Sequence, residues 1–180
     1  MTTIITLPNI DAAEDALNRL TEMGVSSDQI SLAAMEEQSS KWVKKAQDDD
    51  AVSNGQAFGE TVSGIVGGGA LGGVIGLLTG VAALTIPGLG PLLITGPLAA
   101  AVGGASLGAN TLAGAAIGGT VGGVTGLVDG LAKAGVERSE AEEIESDLKQ
   151  GGILMAVEDP SEEVQDALEN LPHTNMVDVA

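Results

Sequence analysis

Both ends of the chain alternate short apolar runs with amphipathic stretches, while the middle is apolar almost without interruption. "TIITL" (3–7) is a β-branched run with strand character. In "IDAAEDALNRLTEMG", Ala13, Leu17 and Leu20 fall at i, i+4 and i+7 with Ala16 beside them, which predicts one apolar helix face. Asn9 stands where an N-cap belongs, and Gly24 where a helix-ending glycine belongs. "QISLAAM" (29–35) reads as a second strand.

The other end repeats the scheme. "SEAEEIESDLKQGG" has Ser139 and Glu142 in capping-box spacing, Ala141, Ile144 and Leu148 on one face, and Gly151 as the stop. "ILMAV" (153–157) predicts a strand. "DPSEEVQDALENL" offers Asp159 as N-cap, Pro160 in the first turn, and Val164, Ala167, Leu168 and Leu171 as an apolar stripe. "NMVDVA" (175–180) closes with a strand. "DALNRL" (15–20) and "DALENL" (166–171) hold the same place in the two ends. The pattern predicts a ferredoxin-like α+β domain, with β-α-β from 1–35, α-β-α-β from 131–180, and four strands with helices on one face.

Between the halves lie a polar connector, 36–60, and an apolar stretch, 61–130. In the latter, 61–86 and 98–128 read as two apolar helical arms. "PGLGPLLITGP" (87–97), with Pro87, Gly88, Gly90, Pro91, Gly96 and Pro97, reads as the turn joining them. Glycine recurs every fourth residue at Gly64, Gly68, Gly72, Gly76 and Gly80, and again at Gly114, Gly118, Gly122, Gly126 and Gly130. Gly104 and Gly108 share that spacing. A spacing of four lines one helix face, and a glycine stripe lets helices meet at backbone distance. The expectation is a glycine-zipper helical hairpin.

Charge separates the same regions. Residues 1–60 carry 11 acids and 4 bases, 137–180 carry 13 acids and 2 bases, and no charge stands between Glu60 and Asp129. The first arm therefore offers 26 charge-free residues, against the roughly 20 that cross a bilayer as a helix. Lys41, Lys44, Lys45, Lys133 and Arg138 all lie outside the hairpin, which predicts both termini on the cytoplasmic side. Trp42 with Lys41, Lys44 and Lys45 could anchor at the headgroups. Against insertion stand the low hydropathy of Gly, Ala and Thr, the absence of an aromatic belt, and an acidic soluble part. A soluble cytoplasmic homo-oligomer whose hairpins form the core of a filament, ring or tube is the alternative; an internally packed monomer would leave too much apolar surface.

At −18, the net charge excludes an ordinary nucleic-acid binder, since phosphate contacts need a basic face. The absence of cysteine excludes a disulfide framework and a thiolate metal site, and fits a reducing compartment. The N-terminal stretch has no signal-peptide pattern. With one Trp, one Phe and no Tyr there is no stacking platform for bases or sugars.

The block Ile86, Pro87, Gly88, Gly90, Pro91, Gly96, Pro97, Leu98 and Ala99 to Ala101, followed by Gly135, Glu140, Ala141, Gly151, Gly152 and Val157, resembles the bacterial general-stress and low-temperature-induced glycine-zipper proteins. The resemblance covers nearly the whole chain. It departs in lacking an aromatic residue between Glu143 and Leu148 and in its acidity, which would suit a saline cytoplasm. It implies a stress-associated, often membrane-associated protein, and it supplies no catalytic residues.

The residues themselves show no catalytic, cofactor or metal site. His173 is the one histidine, and a metal site needs several convergent ligands. The acidic runs 48–50 and 158–163 lack the alternating oxygens and turn glycine of a calcium loop. The glycines of 64–73 have neither a P-loop lysine nor the strand and acid of a dinucleotide site. The expectation is a non-enzymatic protein whose partners are copies of itself and, in the membrane reading, a lipid bilayer. No nucleic acid and no small-molecule substrate are indicated.

Overall fold

The computed structural model describes residues 1–41, 82–86, 90–98 and 126–179, with 82–86 described by backbone alone. The first strand, β1, is Thr2–Leu7 and the first helix, α1, is Ile10–Glu22. Strand β2, Ile30–Met35, leads into a helical stretch over 36–41. Then come β3 (Ala82–Ile86), β4 (Gly90–Ile94), α2 (Leu127–Lys133) and α3 (Arg138–Lys149). The chain finishes with β5 (Ile153–Glu158), α4 (Glu162–Glu169) and β6 (Asn175–Val179).

The strands form one antiparallel sheet of mixed α/β architecture, in the order β3-β4-β2-β5-β1-β6. Each helix-bearing connection, β1-α1-β2 and β5-α4-β6, skips one strand, so the two units interlock through the central β5–β1 pair. Along β1, Ile4 faces one side, and Ile5 and Leu7 the other, as strand alternation requires.

The helices lie on both faces, not on one as the sequence pattern predicted. Ala13, Ala16, Leu17 and Leu20 of α1 and Val164 and Leu168 of α4 pack with Ile5, Leu32, Met155 and Val157. On the opposite face, Leu131 of α2 and Ala141, Ile144 and Leu148 of α3 pack with Ile4, Leu154 and Ala156. Strands buried on both sides need cover on both sides, and α3 supplies the second. Each Leu or Ile removed from water here contributes about 1.5–3 kcal/mol.

The local signals place most boundaries. The Asn9 carboxamide oxygen accepts from the Ala12 N–H at 2.9 Å. Gly24 and Gly151, with φ of +79° and +98°, end α1 and α3 as expected. Two caps move by two residues. The α3 cap is formed by Glu137 and Glu140, whose carboxylate accepts from the Glu137 N–H at 3.3 Å, while Ser139 sits inside the helix. The α4 cap is Ser161, whose hydroxyl accepts from the Val164 N–H at 3.3 Å. Asp159 is diverted: its N–H donates to the Met1 carbonyl at 2.7 Å, and its carboxylate meets the N-terminal ammonium at 2.8 Å.

The largest departure is in the apolar middle. Residues 82–86 are a strand rather than the end of a helical arm, and 90–94, read as part of a long turn, are its partner. The pair is a ribbon added to the free edge of β2, with Ala33 beside Ile94 and Met35 beside Leu92. The expected 61–130 hairpin is thus interrupted at 82–86, and residues 90–94 of its proposed turn lie in the sheet.

Candidate functional site

Among the described residues no three acids or histidines converge as metal ligands, and the candidate site lies where the apolar stretches join the sheet. β4 delivers Leu92 and Ile94, both fully buried, to the face covered by α2 and α3. Past the strand, Thr95 continues the pairing: its N–H donates to the Leu32 carbonyl at 2.8 Å, and its hydroxyl accepts from the Leu32 N–H at 3.0 Å. Gly96 then turns the chain with φ +71°, a conformation that side chains resist. A Cβ there would lie 2.4 Å from the Ile30 carbonyl oxygen and 2.7 Å from the Ser31 hydroxyl. That close approach lets the buried Ser31 hydroxyl accept from the Leu98 N–H at 3.0 Å, capping the helical start at 97 from across the sheet. Leu98 itself enters the same core cluster as Leu92, Ile94 and Leu127.

The second apolar stretch comes back to the same place. Leu127 opens α2 fully buried, and Gly130 is buried within that helix, which packs on α3. Both ends of the stretch 99–125 are therefore fixed in one core cluster. The stretch 42–81 is likewise bounded by β2 and its helical extension on one side and by β3 on the other.

Of the glycines placed on the two stripes, Gly126 and Gly130 are described; Gly126 precedes α2 with extended backbone. Gly64, Gly68, Gly72, Gly76, Gly80, Gly104, Gly108, Gly114, Gly118 and Gly122 lie outside the described residues, as do Pro87, Gly88, Trp42, Lys44 and Lys45. Gly90 opens β4 with φ +87° and Pro91 lies within that strand. Lys41 is on the helical stretch, paired with Glu37 one turn earlier at 2.8 Å. That hydrogen bond, and then the lysine charge, hold the Glu37 carboxyl below the usual carboxylate range. An exposed i,i+4 pair of this kind orders a helix end and needs no membrane to explain it.

The other candidate chemistry is dispersed. The His173 ring is exposed, and its Nδ1 meets the Leu171 carbonyl at 2.8 Å. A shallow cleft of about 180 Å³ lies between the end of α1 and the start of α4, bordered by Met23, Gln29, Glu158, Asp159 and Ser161. Gln29 Nε2 donates there to the Glu158 carbonyl at 3.2 Å. The N-terminal ammonium, hydrogen-bonding to Asp159 and adding its charge, lowers that carboxyl from its ordinary 3.8. Among the described residues no three acids or histidines converge as metal ligands, and no helix is long and apolar enough to cross a membrane.

Sequence reasoning missed the ribbon, and with it Ser31, Thr95 and Gly96 as a joint. The available signal was "AALTI" and "GPLLI", two five-residue apolar runs separated by a Pro-Gly turn, which is also a hairpin pattern. Searches of protein-family models, curated proteins and solved structures find no match for this chain.

Proposed function

We propose that this chain is a non-enzymatic, self-associating protein, of the stress-associated kind its sequence resembles, in which a ferredoxin-like core carries two separate apolar inserts that pack against those of other copies. The ferredoxin-like reading is supported by the order β2-β5-β1-β6 and its two interlocked crossovers. The observation that carries the self-association reading is the ribbon. It divides the charge-free stretch into two inserts that each begin and end on the same folded domain. An insert with both ends on one side of a bilayer must cross it an even number of times. Two helical crossings take about 40 apolar residues. The stretch 99–125 has 27 residues, and the charge-free part of 42–81 has 21. While the ribbon is docked, copies of the inserts are the favoured partner for this apolar surface, ahead of lipid.

Purification without detergent followed by light scattering tests the proposal. The expected result is a soluble assembly much larger than 17.8 kDa, with order visible by electron microscopy. A monodisperse monomer overturns it. Recovery only in membranes, resistant to carbonate, would favour the second reading, an inserted hairpin with both termini cytoplasmic. The 26 charge-free residues of 61–86 support that reading, but it requires β3 to leave the sheet.

A further inference from the structure

We propose that the outer edge of β6 docks an extended cationic peptide segment as a further strand of the sheet. The inference goes beyond the self-association reading and uses no part of the apolar inserts.

The strand order puts β6 at one end of the sheet, paired with β1 and, among the described residues, with no other strand. An edge strand leaves a row of backbone N–H and C=O groups unpaired, which is a template for one more strand. Sheet edges are often closed by proline or lysine, and Asn175–Val179 contains neither. The strand is also held firmly. Val177 and Val179 enter the core under α3, and Met176 packs on the opposite face with the cluster of α1 and α4.

Three carboxylates are fixed against this end of the sheet, and neutral groups fix them. On the α3 face, Glu143 accepts from the Asn175 side-chain amide at 2.8 Å, and Asp147 accepts from the Thr174 hydroxyl at 2.6 Å. On the other face, the exposed Asp178 accepts from the Thr3 hydroxyl at 2.6 Å and from Gln165 Nε2 at 3.2 Å. Such donors set the positions of the carboxylates without cancelling their charge. From Gln150 to Ala180 the chain has seven acids and no lysine or arginine. The two bases of α3 are engaged elsewhere, Arg138 with Asp129 at 3.1 Å and Lys149 with Glu145 at 2.5 Å.

That charge selects the occupant. A β6 strand from a second copy would bring the same three carboxylates against their own kind, and like charges side by side oppose strand pairing. In an added strand, alternate side chains lie on one face. A segment with lysine or arginine at alternate positions therefore meets carboxylates while its backbone completes the ladder. Charge complementarity supplies the selection and backbone pairing the register.

The test uses the full chain and a labelled peptide, Lys-Val-Lys-Val-Lys-Val-Lys, followed by fluorescence anisotropy at low ionic strength. The same peptide with alternate amides N-methylated keeps its charge and cannot complete a ladder. The expected result is binding that weakens at least tenfold on methylation and falls as salt screens the carboxylates. Glu143→Gln/Asp147→Asn/Asp178→Asn, which keeps acceptor oxygens for Asn175, Thr174 and Thr3, should also weaken it at least tenfold. Asp15→Asn/Glu22→Gln/Asp28→Asn, which removes as many charges around α1, should change it less than twofold. Hydrogen exchange of the parent chain should show peptide-dependent protection at 175–179, so the proposal stays testable if the first triple variant does not fold. Absence of binding, equal binding of the methylated peptide, equal effects of the two triple variants, or protection confined to other strands overturns the proposal. So does protection of 175–179 that rises with protein concentration without peptide, which would make a second copy the occupant.

Discussion

Replacing Gly96 by alanine while using Gly24 as its control measures the joint between ribbon and sheet. Both glycines have left-handed backbone, with φ of +71° and +79°. A non-glycine residue there costs about 1–2 kcal/mol from conformation alone. They differ in their surroundings. A Cβ at Gly24 meets nothing within 4 Å, whereas one at Gly96 falls 2.4 Å from the Ile30 carbonyl and 2.9 Å from the Ser31 Cα. Those are backbone atoms of an internal strand, so the turn must retreat by about 1 Å to restore ordinary contact. A shift of that size takes the Thr95–Leu32 bonds, now 2.8 and 3.0 Å, and the Ser31–Leu98 bond, 3.0 Å, beyond hydrogen-bonding range. Two or three buried polar groups left unsatisfied at about 1–3 kcal/mol each bring the loss to roughly 2–9 kcal/mol. The ribbon can avoid that loss by undocking, which makes the local and global effects separable. In urea unfolding, Gly24→Ala should lose about 1 kcal/mol and Gly96→Ala at least twice as much. In amide exchange, Gly96→Ala should lose protection at Leu32 and Thr95 while β1 and β5 keep theirs. Equal losses for the two variants in both measurements would refute the reasoning.

Two further outcomes follow from individual residues. The Thr6 hydroxyl is buried under α3 with no partner among the described residues, whereas the Thr3 hydroxyl donates to Asp178 at 2.6 Å. Thr6→Val should therefore stabilise by about 1 kcal/mol and Thr3→Val destabilise by about 1 kcal/mol in urea unfolding, and the reverse order would contradict these assignments. Asp159 has its carboxyl held below 3.8 by the N-terminal ammonium, so its contribution is present above that pH and fades as pH falls below it. Asp159→Asn should accordingly be less stable than the parent near pH 6 and match it once the parent carboxyl is protonated. An NMR titration midpoint for Asp159 above 3.8 would show that the pairing is not made.

Much of the core was legible because its signals are local. Ala13, Leu17 and Leu20 in α1, Ile144 and Leu148 in α3, and Val164 and Leu168 in α4 lie on the stripes that periodicity assigns them, and all are buried. The caps were harder. At α3 the cap is Glu137–Glu140 rather than Ser139–Glu142, next to Val136, which is buried in the core. At α4 Asp159 is taken by Met1, more than 150 residues away in sequence. The candidate joint was not legible at all, because Ser31 and Gly96 carry no shared signal until the sheet brings them together.

By itself the sequence determined the strand and helix segments of the two ends, the apolar faces of their helices, and the absence of charge from 61 to 128. These follow from spacing, since a period of two or 3.6 is written into neighbouring residues. Only the tertiary structure decided that α3 covers a second face of the sheet and that 82–86 and 90–94 are strands. A five-residue apolar run satisfies helix and strand patterns alike. The edge of β2 opposite β5, 61 positions away between Ala33 and Ile94, supplied the hydrogen-bond partners that resolved it as strand. That pairing turns one long apolar stretch into two inserts held by a single domain.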